Sequence, residues 1–354
     1  MIKNKHIVII TPGFPKDETD DNCIPSLQQF VSHISEQSND FIFSIITLHY
    51  PYTKSEYKWN GINIYSCGGK NIKFPLRFFT WRKVYNYFKE IITNNDVSLI
   101  HSFWLGECAL IGNKLSNKYN FPHINTLMGQ ELSQSNKYLK FINLDKLKIV
   151  ALSKNQAGLF GDIMKRNVDV TIPWGIDNND YVISVNARII DILGVGSLIP
   201  VKRFEQFVRV IKRLKETHPK INALLIGSGK EKENLENIIA SNNLKENIKL
   251  TGEVNRSLVI DYMSQSKILL HTSIYESFGY VFAEALASGM YIVSYNVGAA
   301  NKSDKWLVAK TEDEIISHIT LLLNSKLFFK PINLFPIQNT IAQYEMLYNS
   351  LLKS

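Results

Sequence analysis

Short apolar runs alternate with amphipathic segments through the first half of the chain. The runs that predict β-strands span residues 6–11, 41–48, 62–65, 97–103 and 123–128. Apolar positions at helical spacing predict a helix beginning at Pro25 and further helices over 76–92 and 105–118. Strand–helix–strand alternation of this kind predicts a parallel sheet covered by helices.

The same alternation begins again near Ile189. Strands are predicted at 189–196, 223–226, 248–250, 267–272 and 291–295, and helices at 204–214, 230–239, 259–263 and 283–287. Two such series in one chain predict an α/β protein built from two doubly wound, Rossmann-like domains.

The domain boundary is predicted between the two series. The chain has 354 residues, which is too long for one ordinary core. Because residues 178–186 lack a strong periodicity, we place the hinge there. The predicted domains are 1–182 and 183–330. They are followed by 331–354, whose helix at 338–352 we expect to pack back across the domain junction.

Composition favours a soluble, cytoplasmic protein. Hydrophobic residues make up 45% of the chain, yet no stretch approaches the roughly 20 apolar residues that span a bilayer. The apolar run near the N-terminus is too short for a signal peptide and fits a first buried strand. The three cysteines, Cys23, Cys67 and Cys108, have no metal-ligand spacing and predict free thiols in a reducing cytosol.

The net charge of +8 points to an anionic partner, which leaves nucleic acid, a membrane surface or a phosphorylated small molecule. No nucleic-acid-binding motif is present, so we predict no nucleic-acid partner. Part of the charge lies in the segment Lys70–Lys89, where six basic residues alternate with seven aromatic ones. This segment predicts either a helix resting on an anionic bilayer or, more commonly, a helix with its aromatic face in the core.

Three loops of the second half have the composition of phosphate-binding loops. In open α/β sheets, ligands bind at the carboxyl ends of strands, where helix N-termini favour phosphate. The first loop contains Gly194-Val195-Gly196-Ser197-Leu198 and leads to Lys202-Arg203. The second is Gly227-Ser228-Gly229-Lys230, and the third runs from Glu276 to Glu284.

The third loop carries two carboxylates near a predicted helix start. We expect Ser277 to cap this helix and Gly279 to let the backbone approach a ligand. Glu276 would precede the helix and Glu284 would lie about two turns into it. The helical rise then separates them by about 10 Å, too far to share one proton. They can grip the two ends of a sugar nucleotide, or they are exposed residues at each end of an amphipathic helix.

Several motifs in order resemble family 4 of the retaining glycosyltransferases, which have the GT-B fold. They are the paired glutamates at 276–284, Glu284-Ala285-Leu286-Ala287-Ser288-Gly289, Ile292-Val293-Ser294, Val297-Gly298, Pro173-x-Gly175-Ile176-Asp177 and Gly196-Ser197-Leu198-x-x-x-Lys202. The resemblance is strong between 173 and 298, and weaker but in register over the N-terminal half.

The resemblance implies two Rossmann-like domains facing across a cleft, with the acceptor on the first and the nucleotide-sugar on the second. The implied reaction moves a hexose-type sugar from a UDP- or GDP-sugar to a glycan or lipid-linked acceptor. The family often builds surface polysaccharides on lipid carriers, so the segment Lys70–Lys89 would suit a peripheral contact with the inner face of the membrane. The nucleotide-sugar is a co-substrate, and no cofactor is implied.

The resemblance also implies roles for single residues. Lys202, with Arg203 beside it, would neutralise the donor diphosphate, Glu276 would contact hydroxyls of the donor sugar, and Glu284 would hold the ribose. Backbone N–H groups near Phe278–Tyr280 would receive the phosphates. The residues assigned to the nucleotide-sugar are Gly196, Ser197, Gly227, Ser277, Phe278, Gly279, Tyr280 and Glu284. No metal is implied, and the sequence has no Asp-x-Asp pair placed to hold one.

The sequence departs from the family pattern around the phosphates. Ser197 stands where arginine is frequent, and Arg203, where glycine is usual, would compensate for it. The first loop of the chain has Gly13 between prolines where paired glycines are frequent.

A second departure concerns the contact with the donor sugar. Met128 stands where many members have histidine, and Glu131 or His101 would take part of that role. His101 ends a predicted strand, so a hydrogen-bonded structural histidine is the alternative for it.

Two other functions fit parts of the sequence. A nicotinamide-dependent oxidoreductase also has glycine loops, but Gly194-x-Gly196 is followed by Ile199 where the dinucleotide fingerprint has Gly or Ala. A non-catalytic relative would bind a nucleotide-sugar or a partner enzyme without transferring sugar. Ser197 and Met128 are the residues that favour it.

Overall fold

A computed structural model of the chain describes residues 5–38, 40–129, 131–133, 135–181 and 187–352. Contacts divide the chain into two compact units. Unit 1 comprises Met1–Gly175 and Ile337–Ser354, and unit 2 comprises Ile176–Pro336. Of the hinge predicted at 178–186, residues 182–186 lie outside the described residues.

Strands and helices alternate through both units. The strands are β1 (Lys5–Gly13), β2 (Phe41–Tyr50), β3 (Ser55–Trp59), β4 (Ile62–Ser66), β5 (Val97–Phe103), β6 (His123–Thr126), β7 (Lys148–Ala151), β8 (Val170–Thr171), β9 (Ile190–Val195), β10 (Ala223–Ile226), β11 (Ile248–Gly252), β12 (Ser266–His271), β13 (Tyr291–Tyr295) and β14 (Trp306–Ala309). The helices are α1 (Pro25–Gln37), α2 (Arg77–Asn94), α3 (Glu107–Tyr119), α4 (Lys154–Met164), α5 (Phe204–Thr217), α6 (Lys232–Ser241), α7 (Arg256–Ser264), α8 (Tyr280–Ala287), α9 (Glu312–Leu323) and α10 (Ile337–Leu352).

Unit 1 is built on an eight-stranded sheet with the order β3-β4-β2-β1-β5-β6-β7-β8. The edge pair β3–β4 is antiparallel, and the other neighbours are parallel. The apolar β1 and β2 residues that face α2 and α3 form one core cluster with them, centred on Ile10, Phe88 and Ile111. The first buried strand predicted at the N-terminus is therefore present as β1.

Helix α10 completes the core of unit 1 through aromatic side chains. Tyr344 and Tyr348 are fully buried. The ring of Tyr344 lies 4.6 Å from that of Phe30 on α1, measured between centroids. Its hydroxyl shares a 2.9 Å hydrogen bond with Thr126 Oγ1. The end of the chain thus returns to the domain formed by its beginning.

Unit 2 is built on a six-stranded sheet with the order β11-β10-β9-β12-β13-β14, and every neighbouring pair is parallel. Helices α5, α6 and α9 cover one face, where Phe207, Leu235 and Ile319 are buried. Helices α7 and α8 cover the other face, where Met263 and Phe282 are buried. The predicted α/β architecture with two Rossmann-like halves is confirmed.

Helix α2, which contains most of the segment Lys70–Lys89, buries only part of its apolar surface. Val84, Tyr87, Phe88 and Ile91 are buried in the core of unit 1. The first turn and the residues before it differ, because apolar side chains there face solvent. They are Ile72, Phe74, Leu76, Phe78 and Phe79, with exposed fractions between 42% and 71%. The prediction that this helix places its aromatic face in the core therefore holds only for the later turns of α2.

The cysteines and the hydrophobic helices can be compared with what composition predicted. Cys23, Cys67 and Cys108 are free cysteines. Among the described residues, no helix is both long and apolar enough to cross a membrane.

We predict that Phe207→Ala lowers the free energy of unfolding by about 3–5 kcal/mol, because it opens a cavity in a core where Phe207 is fully buried. Urea denaturation followed by circular dichroism measures this loss. Phe328→Ala is the matched control, since Phe328 is 65% exposed and its truncation should change stability by less than about 0.5 kcal/mol. Equal losses in the two variants would contradict the assigned core.

Candidate functional site

The order of the sheet in unit 2 creates a point where a ligand can bind. Strands β9 and β12 are neighbours, although about 70 residues separate them along the chain. Because the strands are parallel, Val195 and His271 end them at the same edge. Strand order reverses between β9 and β12, and crevices form at such switch points. The loops that follow the two strands carry Lys202 and Glu276.

The ammonium of Lys202 and the carboxylate of Glu276 form an ion pair at this edge. Glu276 Oε1 also lies 2.8 Å from His271 Nε2. The hydroxyl of Thr272 donates a 2.8 Å hydrogen bond to the carbonyl of Lys202, which ties the loop after β9 to the end of β12. The structure therefore brings together two residues that the sequence predicted and two that it did not assign.

These contacts determine the charge of Glu276. Burial by itself raises the pKa of this carboxyl, but the hydrogen bond from His271 and the charge of Lys202 lower it to about 2. Burial lowers the pKa of His271. An ionised carboxylate can only accept hydrogen bonds, so His271 Nε2 carries the proton and donates it. Glu276 is thus a fixed, ionised acceptor beside a cation.

The glycine loops after β9 and β10 pack directly against each other. The N–H of Leu198 donates a 2.8 Å hydrogen bond to the carbonyl of Ser228. Gly227 has a φ of +147°, and a Cβ at this position would collide with the carbonyl oxygen of Gly196. The two loops therefore present mostly backbone. The side chain of Ser197 is exposed at their surface.

The third loop begins α8 differently from the prediction. Gly279, with a φ of +79°, is the N-cap residue, so Ser277 does not occupy the N-cap position predicted for it but lies two residues before it. Gly279 takes this position because only glycine adopts such a φ without strain. Phe278 is buried, and its carbonyl accepts a 2.8 Å hydrogen bond from Ala299 N–H.

The later start of α8 changes the geometry of the paired glutamates. The helix begins at Tyr280, so Glu284 lies about one turn into it rather than two. Glu276 lies in the loop, and the separation of about 10 Å expected from the helical rise does not apply to it. Both side chains are only 12% exposed, which excludes the alternative of two solvent-exposed glutamates.

Glu284 is held by groups from two other segments of unit 2. The hydroxyl of Tyr181 lies 3.3 Å from Glu284 Oε1, and Arg256 Nη2 lies 3.6 Å from the same oxygen. Arg256 Nη2 also donates a 2.9 Å hydrogen bond to the Tyr181 hydroxyl. Burial raises the pKa of Glu284, and the charge of Arg256 opposes this change.

Arg203 follows Lys202 directly but occupies a different environment. It has a φ of +50° and is the residue that precedes α5. Its exposed side chain lines a cavity of about 200 Å³ together with Ile199 and Glu231. A phosphate contact by Arg203 stays a prediction.

His101 lies in the core of unit 1. Its ring nitrogens share hydrogen bonds of 2.8 Å each with the Tyr348 hydroxyl and with Thr126 Oγ1, and the residue is fully buried. Burial lowers its pKa well below the usual value. This geometry favours the structural alternative over a direct contact with a sugar.

The other predicted sugar contacts of unit 1 lie at the end of a strand or in the loop after one. The carboxylate of Glu131 is largely buried and accepts hydrogen bonds from the N–H groups of Met128 and Gly129, so it fixes this loop. Burial raises the pKa of Glu131. Gly13 ends β1, where an added Cβ would lie 3.2 Å from Tyr50 Cβ. Their roles toward a ligand stay predictions.

Sequence reasoning missed four residues of the site. His271 ends β12 and Thr272 follows it, so the rule that ligands bind at strand ends could have found both. Tyr181 and Arg256 contact Glu284 only through the tertiary fold, and no local pattern marks them.

The groups available to a ligand are mainly positive or polar. Lys202, the two glycine loops and the first turn of α8 can accept an anionic group, because N–H groups in a first helical turn lack intrahelical partners. Within the part of the chain that the structure describes, no group of three or more His, Cys, Asp or Glu side chains could hold a metal ion.

We predict that Lys202→Met raises the pKa of Glu276, since it removes one of the two groups that lower it. The folded pKa of about 2 lies below the ordinary 4.5. Glu276 therefore adds stability above pH 4.5, and this contribution is lost as the pH falls toward 2. In the variant, this contribution should be smaller, and its loss should be complete at a higher pH than in the wild type.

Carbon-13 NMR of the glutamate carboxyls measures this pKa directly. Lys232→Met is the control, because Lys232 pairs with Glu236 on the surface, 3.8 Å away. An unchanged pKa of Glu276 in Lys202→Met would show that the ion pair does not set its charge.

Comparison with solved structures identifies the fold. Sucrose-phosphate synthase from Thermosynechococcus elongatus superposes with a TM-score of 0.80 at 18% identity, covering 99% of this chain and 100% of that one. The Anabaena protein HepE, solved in complex with UDP and glucose, gives 0.72 at 16% identity, covering 97% and 99%. These neighbours are glycosyltransferases of the GT-B fold, and this chain has that fold.

Sequence relatives span most of the chain. An uncharacterized glycosyltransferase of Methanocaldococcus jannaschii is 27% identical over 274 residues, which cover 76% of this chain and 74% of the relative. The gpi3 subunit of the Schizosaccharomyces pombe phosphatidylinositol N-acetylglucosaminyltransferase is 23% identical, covering 77% of this chain. The match spans only 63% of that subunit's length.

A model of a known protein family matches the second half of the chain. The model described as "Glycosyl transferases group 1" matches residues 183–330, the range that contains Lys202, Glu276 and Glu284. This match supports glycosyl transfer over the nicotinamide-dependent oxidoreductase that the glycine loops left open. Residues 183–330 therefore match the glycosyl transferases group 1 family, and the chain has the GT-B fold. Both findings support the glycosyltransferase enzyme class.

Proposed function

We propose that this protein is a retaining, metal-independent hexosyltransferase of family 4 that uses a UDP- or GDP-sugar. Unit 2 binds the donor, and unit 1 binds a glycan or lipid-linked acceptor in surface polysaccharide synthesis. The observation that carries the proposal is the cluster of Lys202, Glu276 and His271 at the switch point of unit 2.

The cluster suits a reaction whose leaving group is a diphosphate. The bond between the anomeric carbon and a phosphate oxygen breaks, and its electron pair stays on the diphosphate. Lys202 and the first turn of α8 stabilise the charge that develops there, with Arg203 beside Lys202. The acceptor hydroxyl oxygen bonds to the anomeric carbon on the face that the diphosphate leaves, and its proton goes to the departing phosphate oxygen.

The two glutamates suit the two ends of a nucleotide-sugar. Glu276 is ionised and fixed by His271, so it can accept hydrogen bonds from hydroxyls of the donor sugar. Glu284 lies on α8, where its carboxylate can accept hydrogen bonds from the ribose hydroxyls. Arg256 and Tyr181 hold it in place.

The names of relatives suggest which donors to test first. HepE was solved with UDP and glucose, and the gpi3 subunit belongs to an N-acetylglucosaminyltransferase. Both relatives point to hexose-type sugars as donors, and HepE also points to a uridine nucleotide. We therefore rank UDP-glucose and UDP-N-acetylglucosamine ahead of GDP-sugars.

We also propose that the exposed start of α2 lets the protein bind the inner face of the membrane from the cytoplasm. Phe74 is 71% exposed, and Phe78 and Phe79 are 59% and 60% exposed. The segment Lys70–Lys89 contains six basic residues and no acidic one. Aromatic side chains that enter the headgroup region, together with cations that attract anionic lipids, are typical of peripheral membrane contact.

For the donor site, we predict that UDP-sugars raise the melting temperature of the protein. A ligand at about 100 times its Kd stabilises the native state by roughly 2.7 kcal/mol. Glu284→Ala should weaken this binding at least tenfold, because the ribose contact is lost. Lys202→Ala should mainly lower kcat, because its charge acts most strongly on the departing diphosphate.

Glu236→Ala and Lys232→Ala are the matched controls for these variants, since both side chains lie on the surface of α6. If Glu284→Ala and Lys202→Ala behave like their controls, the assigned site is wrong. Binding of a donor without turnover on any acceptor would favour the non-catalytic relative.

For the membrane contact, we predict that the protein cosediments with anionic vesicles at low salt and less so at high salt. The double variant Phe78→Asp and Phe79→Asp should reduce the bound fraction at least fivefold, because it replaces apolar contacts by charges that anionic lipids repel. Phe328→Asp changes an equally exposed phenylalanine of unit 2 and should bind like wild type. Equal binding by the double variant would refute the assigned contact.

A further inference from the structure

Unit 1 contains a cavity that the proposed donor chemistry does not use. It has a volume of about 430 Å³ and is open to solvent. It lies between the start of α2, helix α3 and the segment 135–141. Its lining includes Phe74, Arg77, Trp81, Leu110, Tyr138 and Phe141. The volume lies within the roughly 300–1,000 Å³ that ligand pockets usually have.

A buried carboxylate fixes the walls of this cavity. Glu107, the first residue of α3, accepts a hydrogen bond from the indole N–H of Trp81 and lies 3.5 Å from the guanidinium of Arg77. His49 Nε2 lies 3.0 Å from Glu107 Oε2, the same oxygen that Arg77 approaches. Arg77 in turn donates a 2.6 Å hydrogen bond to the Tyr138 hydroxyl. The walls are therefore held in position by their own contacts.

The mouth of the cavity is apolar and positively charged. Phe74 and Phe141 line it, and each is 71% exposed. Lys137 also lines the cavity, and Lys73 and Lys140 are the sequence neighbours of the two phenylalanines. The nearby carboxylate of Glu107 is already engaged by Arg77 and His49. A ligand with a hydrocarbon part and an anionic head matches both features.

We propose that this cavity binds one hydrocarbon chain of an anionic, phosphate-bearing lipid, with the phosphate beside Lys73, Lys137 and Lys140. The chain lies against Phe74, Trp81, Leu110 and Phe141. That this lipid is the acceptor of the sugar rests on the proposed function, whereas its binding does not. This binding differs from the proposed contact with the membrane surface, because the cavity holds a single lipid molecule.

The test uses the full chain and dodecyl phosphate below its micelle concentration, so that no membrane is present. Trp81 lines the cavity and serves as a natural reporter. We expect saturable binding of one molecule per chain, accompanied by a change in tryptophan fluorescence. In Trp81→Phe, most of that change should disappear while the four other tryptophans remain.

Variants at the mouth locate the binding site. Phe141→Asp and Lys137→Glu should each weaken binding of dodecyl phosphate at least tenfold, because one places a charge beside the chain and the other beside the phosphate. Phe328→Asp is the matched control in unit 2 and should bind like wild type. Phe74→Asp replaces Phe141→Asp if the latter does not fold, as judged by circular dichroism.

Three results would overturn the proposal. The first is equal affinity of wild type and the mouth variants. The second is inorganic phosphate binding as tightly as dodecyl phosphate, which would mean that the chain is not recognised. The third is dodecyl maltoside binding as tightly, which would mean that the anionic head is not recognised and a glycan fits as well.

The donor experiment separates this proposal from the proposed function. Phe141→Asp should keep the thermal shift that UDP-sugars produce, because the variant leaves unit 2 unchanged. If no nucleotide-sugar binds to the wild type while dodecyl phosphate does, glycosyl transfer fails and the lipid site stands.

Discussion

The parallel pairing of β9 with β12 is the constraint on which the proposed donor chemistry of unit 2 depends. Parallel strands end at one edge, so the loops after β9 and β12 meet although they are distant in sequence. Lys202 and Glu276 come together only for this reason. Any change in strand order would separate the cation from the carboxylate, whatever the local sequence of the two loops.

The ion pair that results has a cost that its neighbours offset. A carboxylate as buried as Glu276 is unfavourable unless it is paired and hydrogen-bonded. Lys202 supplies the charge and His271 supplies the hydrogen bond, and together they overcome the effect of burial on its pKa. A lysine already attracted into the site needs little reorganisation to meet a diphosphate. Such preorganisation is what makes electrostatic stabilisation of a leaving group effective.

Periodicity predicted most strands and helices, although β7, β14, α4 and α9 were not assigned from it. Features that depend on tertiary contacts were left out. Buried strands such as β5 and β13 were predicted with their observed bounds, because continuous apolar runs mark them. Strand β3 was missed, since it is an edge strand that alternates exposed and half-buried positions.

Lys202 and Glu276 were predicted from motifs. Tyr181 and Arg256 were not, because only the folded chain brings them to Glu284. Ser277 was taken as a cap because residue type does not reveal that Gly279 has a positive φ.

Several phenylalanine side chains at the start of α2 are exposed to solvent, although side chains of this type are usually buried. Leaving a phenylalanine in water forfeits roughly 1.5–3 kcal/mol of burial energy, and Phe74, Phe78 and Phe79 do so side by side. The later turns of the same helix bury their apolar face in the ordinary way, so the pattern of the helix does not force this exposure. An apolar cluster surrounded by lysines, beside a cavity whose walls a buried glutamate fixes, is better explained by a ligand than by folding. A lipid satisfies both the aromatic side chains and the surrounding charge, which neither water nor the core of unit 1 does.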